Sequence, residues 1–204
     1  MKYKATRFKS LEVCLKELEP FIRDGAHLQT GKPFVRFDGL RSRELLANWL
    51  LCVAVNSTTQ PNRLNFTSDP TGGDGIIIDI TTGETWQTEH VLVPGGQFAH
   101  DGSIDAQILE AVESKQNKGG RAYASGKTLV VFLNSGGGEW FPTKVARQLP
   151  KVDFEAVWVV GLQSANTGEY LYSVTRLDLS RGQAPAWLVR IANDFTSWIV
   201  EPVQ

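Results

Sequence analysis

The chain has 204 residues, 42% of them hydrophobic, and sets 21 Lys and Arg against 22 Asp and Glu for a net charge of −1. This composition excludes a disordered chain, and the near balance of charge argues against a strongly basic coat for non-specific nucleic-acid binding, while leaving a local basic groove open. No apolar run reaches the ~18 residues of a membrane span, and residues 1–10 lack an apolar signal core, so a cytoplasmic protein without a membrane partner is expected.

In chain order, Leu11, Cys14, Leu15, Leu18 and Ile22 recur at helical spacing, with Ser10 as candidate N-cap. A connecting segment with Gly25, Gly31 and Pro33 spans residues 24–37. A second helix is predicted over 42–56; Leu45, Leu46, Trp49, Leu50, Cys52 and Val53 make it so apolar that it should be largely buried. Cys14 and Cys52 both fall in these apolar patterns, which favours buried free thiols over a disulfide or a metal role. Residues 63–67 read as a short strand, and 68–73, Ser-Asp-Pro-Thr-Gly-Gly, as a turn-rich loop.

A β-hairpin follows over residues 73–91, rich in Ile, Val, Thr and Trp, with Thr82-Gly83 as its turn. If Thr81 faces Glu84, then Ile76 faces Glu89 and Asp74 faces Val91. Alternation then puts Asp74, Ile76, Ile78, Gln87, Glu89 and Val91 on one face, with Asp79, Trp86, Thr88 and His90 on the other. Asp74 and Glu89 become diagonal neighbours, roughly 7–8 Å apart, and a hard divalent cation between them would turn repulsion into ligation. His90 faces away from the acids, as a packed or surface histidine would; Asp79, on its face, could orient it.

Pro94-Gly95-Gly96 ends the second arm, and Gln97 follows in the same loop. Ile104, Ile108, Leu109 and Val112 predict a helix over 104–115, with Lys115, Gln116 and Lys118 towards its end and Gly119-Gly120 as its stop. Residues 128–133 read as a strand buried on both faces, 135–138 as a Gly-rich loop without a nucleotide-binding pattern, and 142–149 as a short helix. A buried strand over 154–162, a turn at Asn166-Thr167-Gly168 and an antiparallel edge strand over 170–177 come next. Trp187, Ile191, Phe195 and Trp198 suggest a last helix over 185–199. No nucleophile elbow and no zinc spacing are present in the sequence.

The order helix, strand, strand, strand, helix, strand over residues 42–133 resembles the core of the PD-(D/E)xK nuclease superfamily, the restriction-endonuclease-like fold. The resemblance implies one α/β domain over 1–204, with a mixed sheet flanked by helices at 42–133, an extra N-terminal helix, and a C-terminal extension of strands and helix over 134–204. In that family an Asp near the start of the second core strand and a Glu-x-Lys on the third bind Mg²⁺ and activate water. Asp74 matches the Asp. The third motif departs: with Glu89 as its acid, Val91 stands where Lys is expected; with Gln87-Thr88-Glu89 as the motif, Gln87 replaces the acid and Glu89 the lysine. Lys115, Lys118 or Lys127 could supply a relocated ammonium.

What the resemblance implies is a DNA nuclease with Mg²⁺ or Mn²⁺ held by Asp74, Glu89 and the His90 backbone carbonyl, with Gln87 and Glu44 as further catalytic candidates. Glu44 has an alternative reading as an exposed helix charge beside Arg41 and Arg43, and Asp74 as a turn residue. Lys115, Lys118, Arg121 and Lys127 could track a DNA backbone, with Tyr123 near for stacking, or could form a solvated helix end. A homodimer is left open. The competing readings are a non-catalytic DNA- or protein-binding module of the same fold, and an unrelated α/β domain with a structural role.

Overall fold

The computed structural model describes residues 8–25, 39–95, 102–134 and 138–203. Most of the connecting segment at 24–37, the loop residues Gly96 and Gln97, and 135–137 of the Gly-rich loop lie outside them. α1 (Leu11–Arg23) starts at Ser10, whose hydroxyl accepts the Val13 N–H at 3.3 Å. α2 (Ser42–Thr58) is buried at every position from Ser42 to Ala54. An apolar helix without a polar stripe has to sit inside, and this one does.

The strands are β1 (Leu64–Thr67), β2 (Ile76–Asp79), β3 (Thr85–Val93), β4 (Lys127–Leu133), β5 (Ala156–Asn166), β6 (Glu169–Leu177), β7 (Ala186–Ile191) and β8 (Trp198–Pro202). They form one eight-stranded mixed sheet in chain order. β1, β2 and β3 are antiparallel, β3, β4 and β5 parallel, and β5 to β8 antiparallel again. Parallel neighbours need crossovers: α3 (Ile104–Ala124) joins β3 to β4, and α4 (Pro142–Gln148) lies between β4 and β5. These are the four α-helices among the described residues, and none is long and apolar enough to cross a membrane.

The sheet buries both faces. On one, α1 and α2 pack Leu15, Leu18, Leu46, Trp49 and Leu50 against Ile77, Val130, Phe132, Val160, Val174 and Val189. α2 touches β1 near one edge and β7 and β8 at the other, so the sheet curls around it. On the second face Ile108, Val112 and Val145 cover Leu129, Val131, Val157 and Val159. Each such fully buried aliphatic side chain contributes roughly 1.5–3 kcal/mol. Cys14 and Cys52 are buried free thiols, and burial pushes the Cys14 thiol up to about 12.

Several sequence expectations are corrected. Residues 185–199 are not a helix; β7, a turn and β8 occupy them, so the extension ends in strands. Trp187, Val189 and Ile191 reach the core from alternate positions of β7, a period of two that the wider Trp187–Ile191–Phe195 spacing concealed. β6 is interior, paired with both β5 and β7, rather than an edge. α3 does not stop at Gly119-Gly120 but breaks there and resumes to Ala124. The hairpin register is shifted by two: Ile76 faces Gln87, Ile77 faces Trp86 and Ile78 faces Thr85. The turn is longer than Thr82-Gly83 because the Asp79 carboxylate holds it open, accepting from Thr81 N–H at 2.9 Å, Thr81 Oγ1 at 2.6 Å and Thr82 N–H at 3.2 Å. An even shift keeps the paired side chains of β2 and β3 on their expected faces, while Asp74 precedes β2 and lies outside the pairing.

Candidate active site

The site begins where the β2–β3 ladder stops. The Thr88 N–H still donates to the Gly75 carbonyl at 2.8 Å, but Gly75 has φ +136°, and the chain before it turns away. The next N–H of β3 on that side, His90, would be unpaired; the Asp74 side chain turns back and Oδ2 accepts it at 2.7 Å. In a strand the N–H and C=O of one residue point the same way, so the His90 carbonyl faces the same gap. The other Asp74 oxygen has no hydrogen bond among the described residues. The observed register ends at Ile76 opposite Gln87, so Asp74 stands outside the ladder rather than diagonal to Glu89 within it.

Asn48 of α2 fixes this arrangement from below. Its Nδ2 donates to the Asp74 carbonyl at 3.1 Å, and its Oδ1 lies 3.1 Å from His90 Nε2. With Nδ2 committed as donor, Oδ1 must accept, so the network assigns the imidazole proton to Nε2. Burial, with Lys115 and Arg43 adding to it, pushes His90 down to about 3, so the ring is neutral. Asp79 does not orient it: that carboxylate is occupied by its own turn and by Arg63 Nε at 2.7 Å.

Glu89 points to the opposite face of the sheet, where α3 and β4 meet it. Lys127 Nζ lies 2.7 Å from Oε1, Lys115 Nζ lies 3.4 Å from Oε2, and the Tyr123 hydroxyl donates to Oε2. Burial works to raise the Glu89 pKa, but Lys127, Tyr123 and Lys115 together outweigh it and hold the carboxyl below its ordinary range. Asp74 goes the other way. Burial and the nearby Glu89 charge raise it, against the His90 N–H and Lys115.

Glu44 completes the acids. It is not an exposed helix charge but 5% exposed, with Oε2 accepting the Arg41 N–H at 2.8 Å to cap the first turn of α2. Burial raises its carboxyl, and Asp74 adds to the effect. Glu44, Asp74, Glu89, His90, Lys115, Lys118 and Tyr123 line one polar cleft of about 490 Å³, together with Arg41 and Asp69. Lys127 reaches Glu89 without lining the cleft; Arg121 is exposed and does not line it. Gln87 stands aside too, its Nε2 donating to Asp69 Oδ2 at 2.9 Å.

Three residues of the site carried no such role in the sequence reading. Asp69 sits in a Ser-Asp-Pro-Thr stretch that reads as a turn, and it does make one, accepting from Thr71 N–H at 2.8 Å. Asn48 was legible in principle, since a lone amide inside an otherwise apolar helix must find a partner. Tyr123 was read as a stacking residue, and its bond to Glu89 was hidden behind the two glycines that read as the end of α3.

What remains open to a ligand is a set of oxygens: the unbonded Asp74 oxygen, Glu44 Oε1, which among the described residues has only the long ion pairs with Arg41 and Arg43 at 3.7 and 4.0 Å, and the His90 carbonyl. Among the described residues no group of three or more His, Cys, Asp or Glu side chains is arranged to hold a metal ion. A hard cation that needs only one or two carboxylates and keeps its waters is nevertheless suited to such donors. Comparison with known proteins gives no further guide, since no family model, curated protein or solved structure matches the chain.

Proposed function

We propose that this chain is a Mg²⁺-dependent nuclease that hydrolyses DNA phosphodiester bonds, built on a restriction-endonuclease-like core. The observation that carries the reading is the meeting of Glu44, Asp74 and Glu89 in one polar cleft with the Lys115 ammonium among them. The succession α2, β1, β2, β3, α3, β4, with a three-strand antiparallel run and β4 parallel beside β3, supports the resemblance. So does the location of Asp74 just before β2 and of Glu89 within β3. Position 91 is a half-buried Val91, yet ammonium groups stand at Glu89 all the same, delivered by α3 and β4.

Asp74, Glu44 and the His90 carbonyl would hold a divalent cation, with Glu89 joining if Lys115 and Tyr123 release Oε2. Mg²⁺ or Mn²⁺ held there supplies charge to polarise the scissile phosphate and to lower the pKa of an attacking water. The chain's own groups do the rest. Asn48 holds the Asp74 backbone and the His90 ring in one frame, Lys127 and Tyr123 fix Glu89, and Lys118 at the cleft offers a charge to the DNA backbone. Burial raises both the Glu44 and the Asp74 carboxyls, with the Asp74 charge adding to the first and the Glu89 charge to the second, and a bound cation would favour their ionised forms.

One observation favours the second reading, a non-catalytic DNA- or protein-binding module of the same fold: both Glu89 oxygens are already neutralised by the protein. Supercoiled plasmid with Mg²⁺, together with a Mn²⁺ titration, separates the two. The nuclease nicks or linearises plasmid, and Asp74→Ala loses both cutting and Mn²⁺ binding. Undiminished cutting by Asp74→Ala refutes the proposal; absence of cutting by the wild type leaves the module.

A further inference from the structure

The two lysines on Glu89 are held differently. Lys127 Nζ sits 2.7 Å from Oε1 and 4.3 Å from the centre of the Tyr123 ring, a tight charge-assisted bond backed by a cation–π contact. Lys115 Nζ is 3.4 Å from Glu89 Oε2 and 3.4 Å from the Tyr123 hydroxyl, both long for bonds to an ammonium. The reason is visible at Oε2, where the Tyr123 hydroxyl already donates. Lys115 lines the cleft and Lys127 does not.

Tyr123 reaches Glu89 only because α3 breaks. Gly120 has φ 58° and ψ −156°, outside the helix. At Gly119 a Cβ would lie 2.5 Å from Tyr123 Cβ and 2.9 Å from its Cγ, so the last turn folds back over a bare backbone.

We infer that Tyr123 is a positioning residue that divides the work of two lysines: it pins Lys127 to Glu89 and holds Lys115 to a long, loose contact with that carboxylate, so that Lys115 alone of the pair is presented to a DNA phosphate. The inference rests on the nuclease reading and deepens it. Without the phenol oxygen, Lys115 closes from its present 3.4 Å to a tight ion pair on Glu89 Oε2 and is withdrawn from the cleft. Of the cations on Glu89, then, one serves the fold and the other the substrate.

The test is binding of a fluorescein-labelled DNA duplex, followed by anisotropy over a salt series with Ca²⁺ in place of Mg²⁺. Each phosphate contact contributes about 0.9 to the slope of log affinity against log salt, or roughly eight-fold in affinity at about 0.1 M salt. Lys115→Met is expected to lose that increment, and Lys115→Arg to retain it. Lys127→Met is expected to keep the slope although its melting temperature falls. Tyr123→Phe, which retains the ring, is expected to lose the same increment as Lys115→Met. Equal slope losses in Lys115→Met and Lys127→Met, or an unchanged slope in Tyr123→Phe, overturn the inference. Should Lys127→Met not fold, the Tyr123→Phe and Lys115 variants decide it between them. A wild-type protein that does not bind the duplex overturns the nuclease reading and this inference together; binding with the wrong pattern overturns the inference alone.

Discussion

Replacing Gly75 by Ala tests whether the broken ladder is what holds the site together. Two costs arise. The backbone has φ +136°, where an L side chain is strained by about 1–3 kcal/mol. The new Cβ would also lie 2.4 Å from Asn48 Nδ2 and 3.1 Å from Thr88 Oγ1, neither distance tolerable without movement. Asn48 cannot shift freely, because it bonds the Asp74 carbonyl and the His90 ring from inside the core. Losing one of those bonds and leaving its partner buried costs a further 1–3 kcal/mol or so. The sum, about 2–6 kcal/mol, is a large share of the roughly 5–15 kcal/mol that holds an ordinary domain folded.

Gly72→Ala is the control. Its φ is +89° with nothing within 4 Å of a new Cβ, so it carries the backbone term alone. Urea unfolding followed by tryptophan fluorescence should put Gly75→Ala about 1–3 kcal/mol below Gly72→Ala, with unchanged m-values. In an Asn48→Ala background most of the excess should vanish, since the 2.4 Å clash and the bond go together and only the milder Thr88 contact remains. Equal stability of the two glycine variants, or an undiminished excess in the Asn48→Ala background, would refute the reasoning.

Two other expectations concern charge. Bonds from the Thr81 hydroxyl first, then from Arg63 and the turn N–H groups, hold Asp79 down at about 2, below its ordinary value, so its contribution is present above pH ~4 and lost as pH falls towards 2. The stability gap between wild type and Asp79→Asn in urea should therefore be widest near neutrality and close in that acid window; a gap independent of pH would contradict the assignment. Glu44 is the reverse case: burial raises its carboxyl, so its ionised form costs stability as pH rises through the raised value. Glu44→Gln keeps the acceptor for the Arg41 N–H and removes the charge; calorimetry at neutral pH should show a higher melting temperature, and plasmid cutting should fall. A lower melting temperature would mean the charge itself is stabilising.

Much of the architecture was legible because it rests on local periodicity. α2 announces its burial through its lack of a polar face, and the hairpin through its β-branched arms and the glycine at its turn. The register was off by two because Asp79, read as a strand residue, is the clamp of a longer turn. Parity does not reach Asp74, which precedes β2: its carboxylate turns back to the His90 N–H while Glu89 points to Lys115, Tyr123 and Lys127, and the two acids meet at the cleft rather than on one strand face. The C-terminal strands were missed because Phe195 and Trp198 extend a helical spacing across a turn in which Phe195 itself takes φ 54°. The partners of Glu89 lay beyond local reading altogether. Lys115 and Lys127 are 26 and 38 residues away, brought in by a helix crossover and a parallel register.

The residues that make the site are the ones that end the strand. Had β2 continued past Gly75, a backbone carbonyl would have taken the His90 N–H, the His90 carbonyl would have been paired, and the Asp74 side chain would have had no gap to fill. Instead Gly72 and Gly75 turn the chain through conformations that side-chain-bearing residues resist, and Gly73 gives way to the Asp69 carboxylate, which lies 2.5 Å from where its Cβ would be. The loop so formed brings Asp69, Asp74 and Glu89 to one cleft with Glu44. Four carboxylates in so small a space repel one another, and Arg41, Lys115, Lys118 and Lys127 stand around them. In this fold the break in hydrogen bonding and the concentration of charge are one feature, and that is why Gly75, which touches no ligand, is the position from which the whole arrangement is most directly tested.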